Sequence, residues 1–137
     1  MTVVFDTNVF ISAAVSRTGP SWQCFVLMAR RRFQLAVTKE ILSEYETTAD
    51  RFFRQERKYQ GVKWRPLFQW MHNRAEFFEP LALGKQRSRD ADDDIFLACA
   101  LAGGARIIVS KDNDLLDLEK PFGIEIMKPT IFAARFW

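Results

Sequence analysis

The sequence predicts an α/β fold, a three-layer sandwich in which a central, mostly parallel sheet is flanked by helices. Short apolar runs such as VVF and RIIVS have the length and β-branched content of buried strands. Longer segments with a helical pattern separate these runs, and that alternation is typical of parallel sheets. No repeat or low-complexity linker divides the 137 residues, so we expect a single domain over residues 1–137.

The first part of the chain is predicted to contain two strands and the helices that follow them. Val3–Phe5 and Phe33–Val37 are short and apolar, as buried strands are. The segment Val9–Ala14 looks helical, Pro20 suits the first turn of a second helix, and Thr38 is a suitable N-cap for a third.

The rest of the chain continues the alternation, although residues 51–75 have a helical pattern without clear limits. The later elements are predicted as a short strand at Glu76–Pro80, a helix at Asp92–Ala102 that ends at two glycines, a strand at Arg106–Ser110, helical turns at Asn113–Leu118, a last strand at Ile124–Met127 and a helix from Pro129.

Composition restricts the class of protein. No apolar run approaches the ~20 residues of a membrane helix, and the N-terminus lacks the features of an export signal. Cys24 and Cys99 lie in apolar surroundings without C-x-x-C spacing, which favours two buried thiols over a disulfide or a zinc site. We therefore expect a cytoplasmic protein without a membrane partner.

The charge is distributed unevenly along the chain. Residues 1–89 carry 15 basic and 8 acidic side chains, a net +7, whereas residues 90–137 carry 5 and 9, a net −4. A basic stretch beside an acidic one is compatible with a polyanion-binding surface next to a cation-binding pocket.

Acidic residues follow several of the predicted strands. In α/β sheets, sites form at the carboxyl ends of the strands. Asp6 follows the first strand, Asp112 follows RIIVS, and Glu44 lies in the second turn of the helix after the second strand. A further group precedes RIIVS on the helix that leads into it, and its members are Asp90, Asp92, Asp93 and Asp94.

Such a cluster repels itself unless a cation or raised pKa values relieve it. The only histidine, His72, lies elsewhere, and oxygen ligands without His or Cys favour Mg²⁺ or Mn²⁺. Each acid also has a purely structural interpretation, since Asp caps helices and turns and suits a helix N-terminus. The joint placement of these acids favours a metal site.

Four motifs in this order resemble the PIN-domain family of metal-dependent ribonucleases, and in particular its branch of toxin components of toxin–antitoxin pairs. They are VVFDTNVFISA, ILSEY, RDADDDIFLACALAGGARIIVSKDNDLLDL and GIEIMKPTIF. The resemblance covers nearly the whole chain and is weakest over residues 50–80. It departs from the branch pattern at Ala91, where proline is usual.

The resemblance implies a set of catalytic and metal-binding acids around one or two Mg²⁺ or Mn²⁺ ions. Asp6, Glu44 and Asp112 match the first, second and fourth family positions, and the spacing to Ala98, Ala100 and Gly104 favours Asp93 over Asp92 and Asp94 for the third. Asp90 and Asp114 are additional candidates. Asn8 and Ser110 resemble the supporting polar pair that orients the first and last acids.

The implied function is hydrolysis of RNA phosphodiester bonds by a toxin that a protein antitoxin restrains, with a homodimer as the expected assembly. The alternative is a catalytically silent PIN-like module that binds RNA or a partner. A phosphotransferase with a nucleophilic aspartate is disfavoured because Asn8 stands where its D-x-D pattern needs an acid, and no G-x-G-x-x-G indicates a dinucleotide site.

Basic and aromatic residues alternate in RFFRQERKYQGVKWRP, which makes this segment a candidate RNA-binding surface. Core packing is the favoured interpretation of its aromatic residues. The basic candidates are Arg51, Arg54, Lys58, Lys63 and Arg65.

Overall fold

The computed structural model describes residues 1–137 and contains one five-stranded sheet. Its strands run in the spatial order β3-β2-β1-β4-β5, and every neighbouring pair is parallel. The α/β class and the parallel sheet predicted from the sequence are confirmed. The strands are β1 (Thr2–Phe5), β2 (Gln34–Val37), β3 (Glu76–Phe77), β4 (Ile107–Val109) and β5 (Glu125–Met127).

Seven α-helices flank this sheet. They are α1 (Thr7–Val15), α2 (Pro20–Ala29), α3 (Lys39–Gln55), α4 (Arg65–Arg74), α5 (Asp94–Gly103), α6 (Asn113–Leu116) and α7 (Pro129–Phe136), with short 3₁₀ turns at Arg57–Tyr59, Ala91–Asp93 and Pro121–Gly123. None of these helices is long and apolar enough to cross a membrane.

The direction in which the chain adds strands reverses once. From β1 it proceeds outwards to β2 and β3, and α5 then returns it across the sheet to β4, on the other side of β1. Because crossovers between parallel strands are right-handed, this reversal places α5 on the face opposite α1–α4. The carboxyl ends of β1 and β4 therefore border the crevice where sheets of this kind bind ligands.

Aromatic side chains fill the core between the central strands and the helices α2 and α7. Phe5 of β1 packs against Phe25 of α2 and Phe33, and Phe33 packs edge-on against Phe132 of α7. Cys24 and Cys99 are free and buried, and burial raises the pKa of each thiol to about 12. The predicted buried thiols are thus confirmed.

Most elements begin or end one or two residues from the predicted bounds, and two differences are larger or bear on the site. The strand expected over 76–80 has only two residues, because the chain leaves the edge of the sheet after Phe77. The helix expected from Asp92 begins as a 3₁₀ turn at Ala91–Asp93 and becomes α-helical at Asp94. Asp93, the last residue of that turn, lines the crevice.

Candidate active site

Asp6 stands at the centre of the crevice, directly after β1. Its carboxylate caps α1 by accepting a hydrogen bond from the Thr7 amide at 2.6 Å, and only 4% of the residue is exposed. The Asn8 amide group donates to the other carboxylate oxygen at 3.3 Å. The Asp-Thr-Asn sequence therefore forms the local hydrogen bonds expected of a helix cap. These bonds also fix a buried carboxylate at the carboxyl end of β1.

Ser110 connects the acid of β1 to the acid of β4. Its hydroxyl donates to Asp6 Oδ2 at 2.6 Å and accepts a hydrogen bond from the Asp112 amide at 2.9 Å. Asn8 makes a parallel connection, since its Oδ1 accepts from the Lys111 amide at 3.2 Å. Asn8 and Ser110 thus hold the loop after β4 against the loop after β1.

The structure separates the three adjacent aspartates by environment. Asp92 is exposed. Asp94 is engaged in the preceding loop, where its oxygens accept from the Arg87 amide, the Ser88 amide and the Ser88 hydroxyl at 2.6–2.9 Å. Asp93 alone lines the crevice, and its Oδ2 is buried without a hydrogen-bond partner.

The four acids that match the family positions line one cleft of about 910 Å³: Asp6, Glu44, Asp93 and Asp112. Glu44 reaches it from the face of α3, where the Thr48 hydroxyl donates to its carboxylate at 3.3 Å. Tyr45, the next residue, is fully buried and donates its hydroxyl to the Phe5 carbonyl, so α3 is fixed against the end of β1.

The two additional candidates form a second acidic group beside the cleft. Carboxylate oxygens of Asp90, Asp93 and Asp114 lie within 4.8 Å of one another. Asp90 also accepts from the Asp92 amide, and Asp114 forms an ion pair with Arg89 at 3.1 Å. Asp93 belongs both to this group and to the four acids of the cleft, so it connects the two.

The electrostatics of the cleft favour a bound cation. Burial, with smaller contributions from the charges of Asp112 and Glu44, raises the pKa of Asp6 from 3.8 to about 6 against the opposing hydrogen bonds from Ser110 and Thr7. Burial, followed by the charges of Asp6 and Asp112, raises the pKa of Asp93 to about 7. A divalent cation on these oxygens would relieve both effects, and the unpartnered Oδ2 of Asp93 fits a ligand position.

Positive and aromatic side chains line the cleft on either side of the acids. Arg51, Phe52 and Tyr59 come from α3 and the turn after it, which follow β2, and the last two rings stack at 5.7 Å with an interplanar angle of 20°. Lys111 and Lys128 follow β4 and β5, on the other side of β1 in the sheet, and Lys111 Nζ donates to the Ser12 hydroxyl at 2.9 Å.

The other predicted RNA contacts lie outside the cleft. Arg54 and Arg65 both form ion pairs with Asp50, at 3.0 and 3.5 Å. Lys58 stacks on the Tyr59 ring at 5.5 Å, and Lys63 is exposed. Of the five basic residues predicted from this segment, Arg51 is the one that lines the cleft.

Sequence reasoning missed several polar residues of this cleft, among them Thr7, Lys111 and Lys128. Thr7 lines it, and its hydroxyl is buried without a hydrogen-bond partner. Lys128 directly follows β5, so the rule that led to Asp6 and Asp112 would also have found it.

Together, the fold and the cleft define an α/β protein with an acidic, oxygen-rich site at the reversal point of a parallel sheet. The family model described as PIN domain matches residues 2–114 of this chain, which therefore belongs to the PIN-domain family. PIN domains are generally metal-dependent nucleases, and the acidic cleft is compatible with that activity. No curated protein sequence matches the chain significantly.

Proposed function

We propose that this protein is a metal-dependent ribonuclease whose active site is the cleft lined by Asp6, Glu44, Asp93 and Asp112. The observation that carries the proposal is the convergence of these four acids from four separate segments on one cleft. A helix cap needs one carboxylate, whereas four acids held together in a partly buried cleft need a positive charge.

Mg²⁺ or Mn²⁺, as one or two ions, is the proposed cofactor. Asp6, Glu44, Asp93 and Asp112 would hold it, with Asp90 and Asp114 as additional ligands. All six donors are carboxylates, which such hard cations prefer. A cation bound there supplies the charge neutralisation and Lewis acidity that phosphodiester hydrolysis requires.

The protein's own residues orient this site and receive the substrate. Ser110 and Asn8 fix the positions of Asp6 and Asp112 through the hydrogen bonds described above. Arg51, from the helix after β2, and Lys111, from the loop after β4, bring positive charge to the cleft, where they suit the phosphates that flank the scissile bond. The stacked Phe52 and Tyr59 rings offer a surface for an unpaired base, so we propose single-stranded RNA as the substrate.

Cleavage of a mixed pool of single-stranded RNA tests the activity. The wild-type protein should cleave with Mn²⁺ or Mg²⁺ and should stop with EDTA. Asp6→Asn should lose at least ~100-fold in rate because the charge of a central ligand is removed. Asp92→Asn is the matched control and should retain full activity, since Asp92 lies outside the cleft.

If the folded wild-type protein binds RNA but does not cleave it with either metal, the enzymatic proposal is wrong. The chain would then be a PIN-like binding module.

We further propose that the protein acts in the cytoplasm as the toxin of a toxin–antitoxin pair, as a homodimer. The resemblance of its four motifs to the toxin branch supports this proposal. Induced expression of the wild-type protein should arrest cell growth, whereas Asp6→Asn should not. Sedimentation of the purified protein tests the dimer, and growth arrest that persists in Asp6→Asn would contradict the toxin proposal.

A further inference from the structure

A second cavity lies at the amino ends of the strands, whereas the acidic cleft lies at their carboxyl ends. It has a volume of about 570 Å³. Arg31 and Arg32 border it just before β2, and Arg74 borders it just before β3. The cavity thus lies at the amino ends of the strands, whereas Asp6 and Asp112 follow their carboxyl ends. We call these three residues and their cavity the arginine pocket.

The arginine pocket carries uncompensated positive charge. None of its three guanidinium groups forms an ion pair, whereas Arg54, Arg65, Arg89 and Arg135 each do. No Asp or Glu lines the cavity. Side-chain amides of Gln34 and Asn73 complete its polar lining, and the Gln34 amide donates to the Arg74 carbonyl at 2.6 Å, which fixes the end of α4 against β2.

Interaction with helix ends does not account for all three arginines. α2 ends at Ala29, and basic residues suit the negative end of a helix. Backbone amides already satisfy its last carbonyls, however, since the amides of Arg30, Arg31 and Arg32 donate to Val26, Met28 and Leu27. The guanidinium groups of Arg31 and Arg32 make no hydrogen bond within the protein and remain available to a ligand.

The backbone of Arg31 is also unusual. Its φ is +58°, in the left-handed region where glycine is the ordinary residue after a helix. An arginine in this position is unfavourable for folding, and such outliers concentrate at functional sites. Arg74 is fixed differently, because its guanidinium stacks on the Trp70 ring at 4.6 Å.

We propose that the arginine pocket is a second binding site for the phosphate backbone of the RNA substrate, away from the site of cleavage. Arginine presents a planar fork of donors that matches phosphate oxygens, and three such groups around one cavity suit a phosphodiester chain. An interface with a protein would need an apolar centre, and Met1 is the one exposed large apolar residue of this cavity. The choice of RNA rests on the proposed function.

The separation of the two sites determines how they cooperate. A four-residue strand spans about 13 Å, so the arginine pocket is at least that far from the acids. The path from one site to the other follows the protein surface and is longer than this straight distance, and a tetranucleotide has only three internucleotide phosphates to distribute along it. A short RNA can therefore occupy the cleft alone, whereas a longer strand can run around the protein and contact both sites.

The test measures binding of fluorescein-labelled U20 and U4 RNA with Ca²⁺ in place of Mg²⁺ or Mn²⁺, so that a cation can occupy the carboxylates of the cleft, and gel analysis verifies that the RNA stays intact. Arg31→Gly, Arg32→Gln and Arg74→Gln should each weaken U20 binding at least about threefold, and each should flatten the dependence of log K on log salt by ~0.7. U4 binding should be unchanged. Arg31→Gly should also raise the melting temperature, because it relieves the left-handed backbone, so a loss of binding cannot be attributed to unfolding.

Lys85→Gln is the control for net charge, since Lys85 is exposed and lines neither cavity. It should leave U20 binding as in the wild type. The proposal is overturned if the three arginine variants bind U20 normally, or if U4 binding falls as much as U20 binding. It is also overturned if only a polyglutamate peptide of equal charge depends on these arginines, because the pocket would then recognise acidic protein.

These outcomes are independent of those for catalysis. If no metal activates RNA cleavage but U20 binding still depends on Arg31 and Arg32, the arginine pocket stands and the ribonuclease proposal fails. If cleavage is metal-dependent and U20 binding does not depend on these arginines, the ribonuclease proposal stands and the arginine pocket fails.

Discussion

Several carboxylates in the cleft and beside it also stabilise local structure. Asp6 caps α1, Asp90 caps the turn at Ala91–Asp93, and Asp112 caps α6 by accepting from the Asp114 amide at 2.9 Å. A cap fixes the rotamer of its carboxylate, because the side chain must face the helix N-terminus. The capping and metal-binding interpretations of these acids are therefore compatible.

Asp93 differs from these capping residues, because its Oδ2 is buried and has no hydrogen-bond partner in the protein. Asp93→Asn removes a charge that burial and the neighbouring acids disfavour. In EDTA at pH 8 we expect it to raise the free energy of unfolding by about 1–2 kcal/mol, a figure reduced for solvent screening of this half-buried carboxyl. Urea denaturation measures the change.

Asp92→Asn is the control for this substitution and should change the free energy of unfolding by less than ~0.5 kcal/mol, because Asp92 is exposed. Added Mn²⁺ should stabilise the wild type more than Asp93→Asn. Equal stabilisation of the two proteins would show that Asp93 is not a ligand.

The raised pKa values also predict how stability depends on pH when no metal is bound. Asp6 ordinarily titrates near 3.8 and titrates at about 6 in the folded protein, so the folded state binds the proton more tightly than the unfolded state. The contribution of Asp6 is present below about pH 4 and is lost as the pH rises through 6, at a cost on the order of 3 kcal/mol. Because the pKa of Asp93 is raised to about 7, its ionisation extends this loss of stability to about pH 7.

Urea titrations in EDTA at pH 4.5, 6 and 7.5 check this dependence, and the midpoint should fall across the series. Saturating Mg²⁺ or Mn²⁺ should reduce the fall, because the cation takes the place of the proton. A midpoint that rises from pH 6 to pH 7.5 in EDTA would contradict the shifts assigned to Asp6 and Asp93.

At the scale of elements, the ends of α5 determine the position of the third acid. Its N-terminus is preceded by the 3₁₀ turn that directs Asp93 into the cleft, and its C-terminus ends at Gly104 with φ +65°. The helix itself is apolar and crosses β1, β2 and β4. Its packing on the sheet therefore fixes the turn that carries Asp93.

Gly104→Ala tests the left-handed end of α5. A Cβ there meets nothing within 4 Å, so the cost is conformational and should be about 1 kcal/mol in the free energy of unfolding. Gly61→Ala is the matched control, because Gly61 also has open space but no positive φ, and it should be neutral or slightly stabilising. Equal effects of the two substitutions in urea denaturation would show that the backbone conformation is not the cause.

At the scale of the molecule, one cluster of 35 buried apolar residues connects the sheet with helices on both faces. We predict that the chain unfolds as one unit, in agreement with a single domain over residues 1–137. Far-UV circular dichroism and tryptophan fluorescence should give coincident urea curves, since the four tryptophans report on α2, on α4 and on the C-terminus. Two separated transitions would contradict the single domain.

The uneven charge of the sequence corresponds to two separate sites. Arg31, Arg32 and Arg74 come from the basic first part of the chain and lie at the amino ends of the strands. Asp93 and Asp112 come from the acidic part and lie at the carboxyl ends. A parallel sheet keeps these two groups apart, because all its strands begin on one side and end on the other. The sequence predicted the imbalance but not this arrangement.

The sequence by itself determined the class of fold, the order of the main elements and which acidic residues follow the strands. Strand and helix patterns are local, and the rule that sites follow parallel strands needs only their order. Residues 51–80 were harder to predict, because α3 continues to Gln55 and the edge strand is only two residues long, so packing rather than pattern sets their limits.

Tertiary structure alone decided which neighbouring side chains share a site. It directs Asp93 into the cleft and Asp94 into the preceding loop, and it pairs Arg65 with Asp50 across 15 positions of sequence. It also brings Arg31, Arg32 and Arg74 around one cavity. The physical reason is that these contacts depend on the single reversal of the sheet and on how each helix begins and ends, and both are settled only when the helices pack on the sheet.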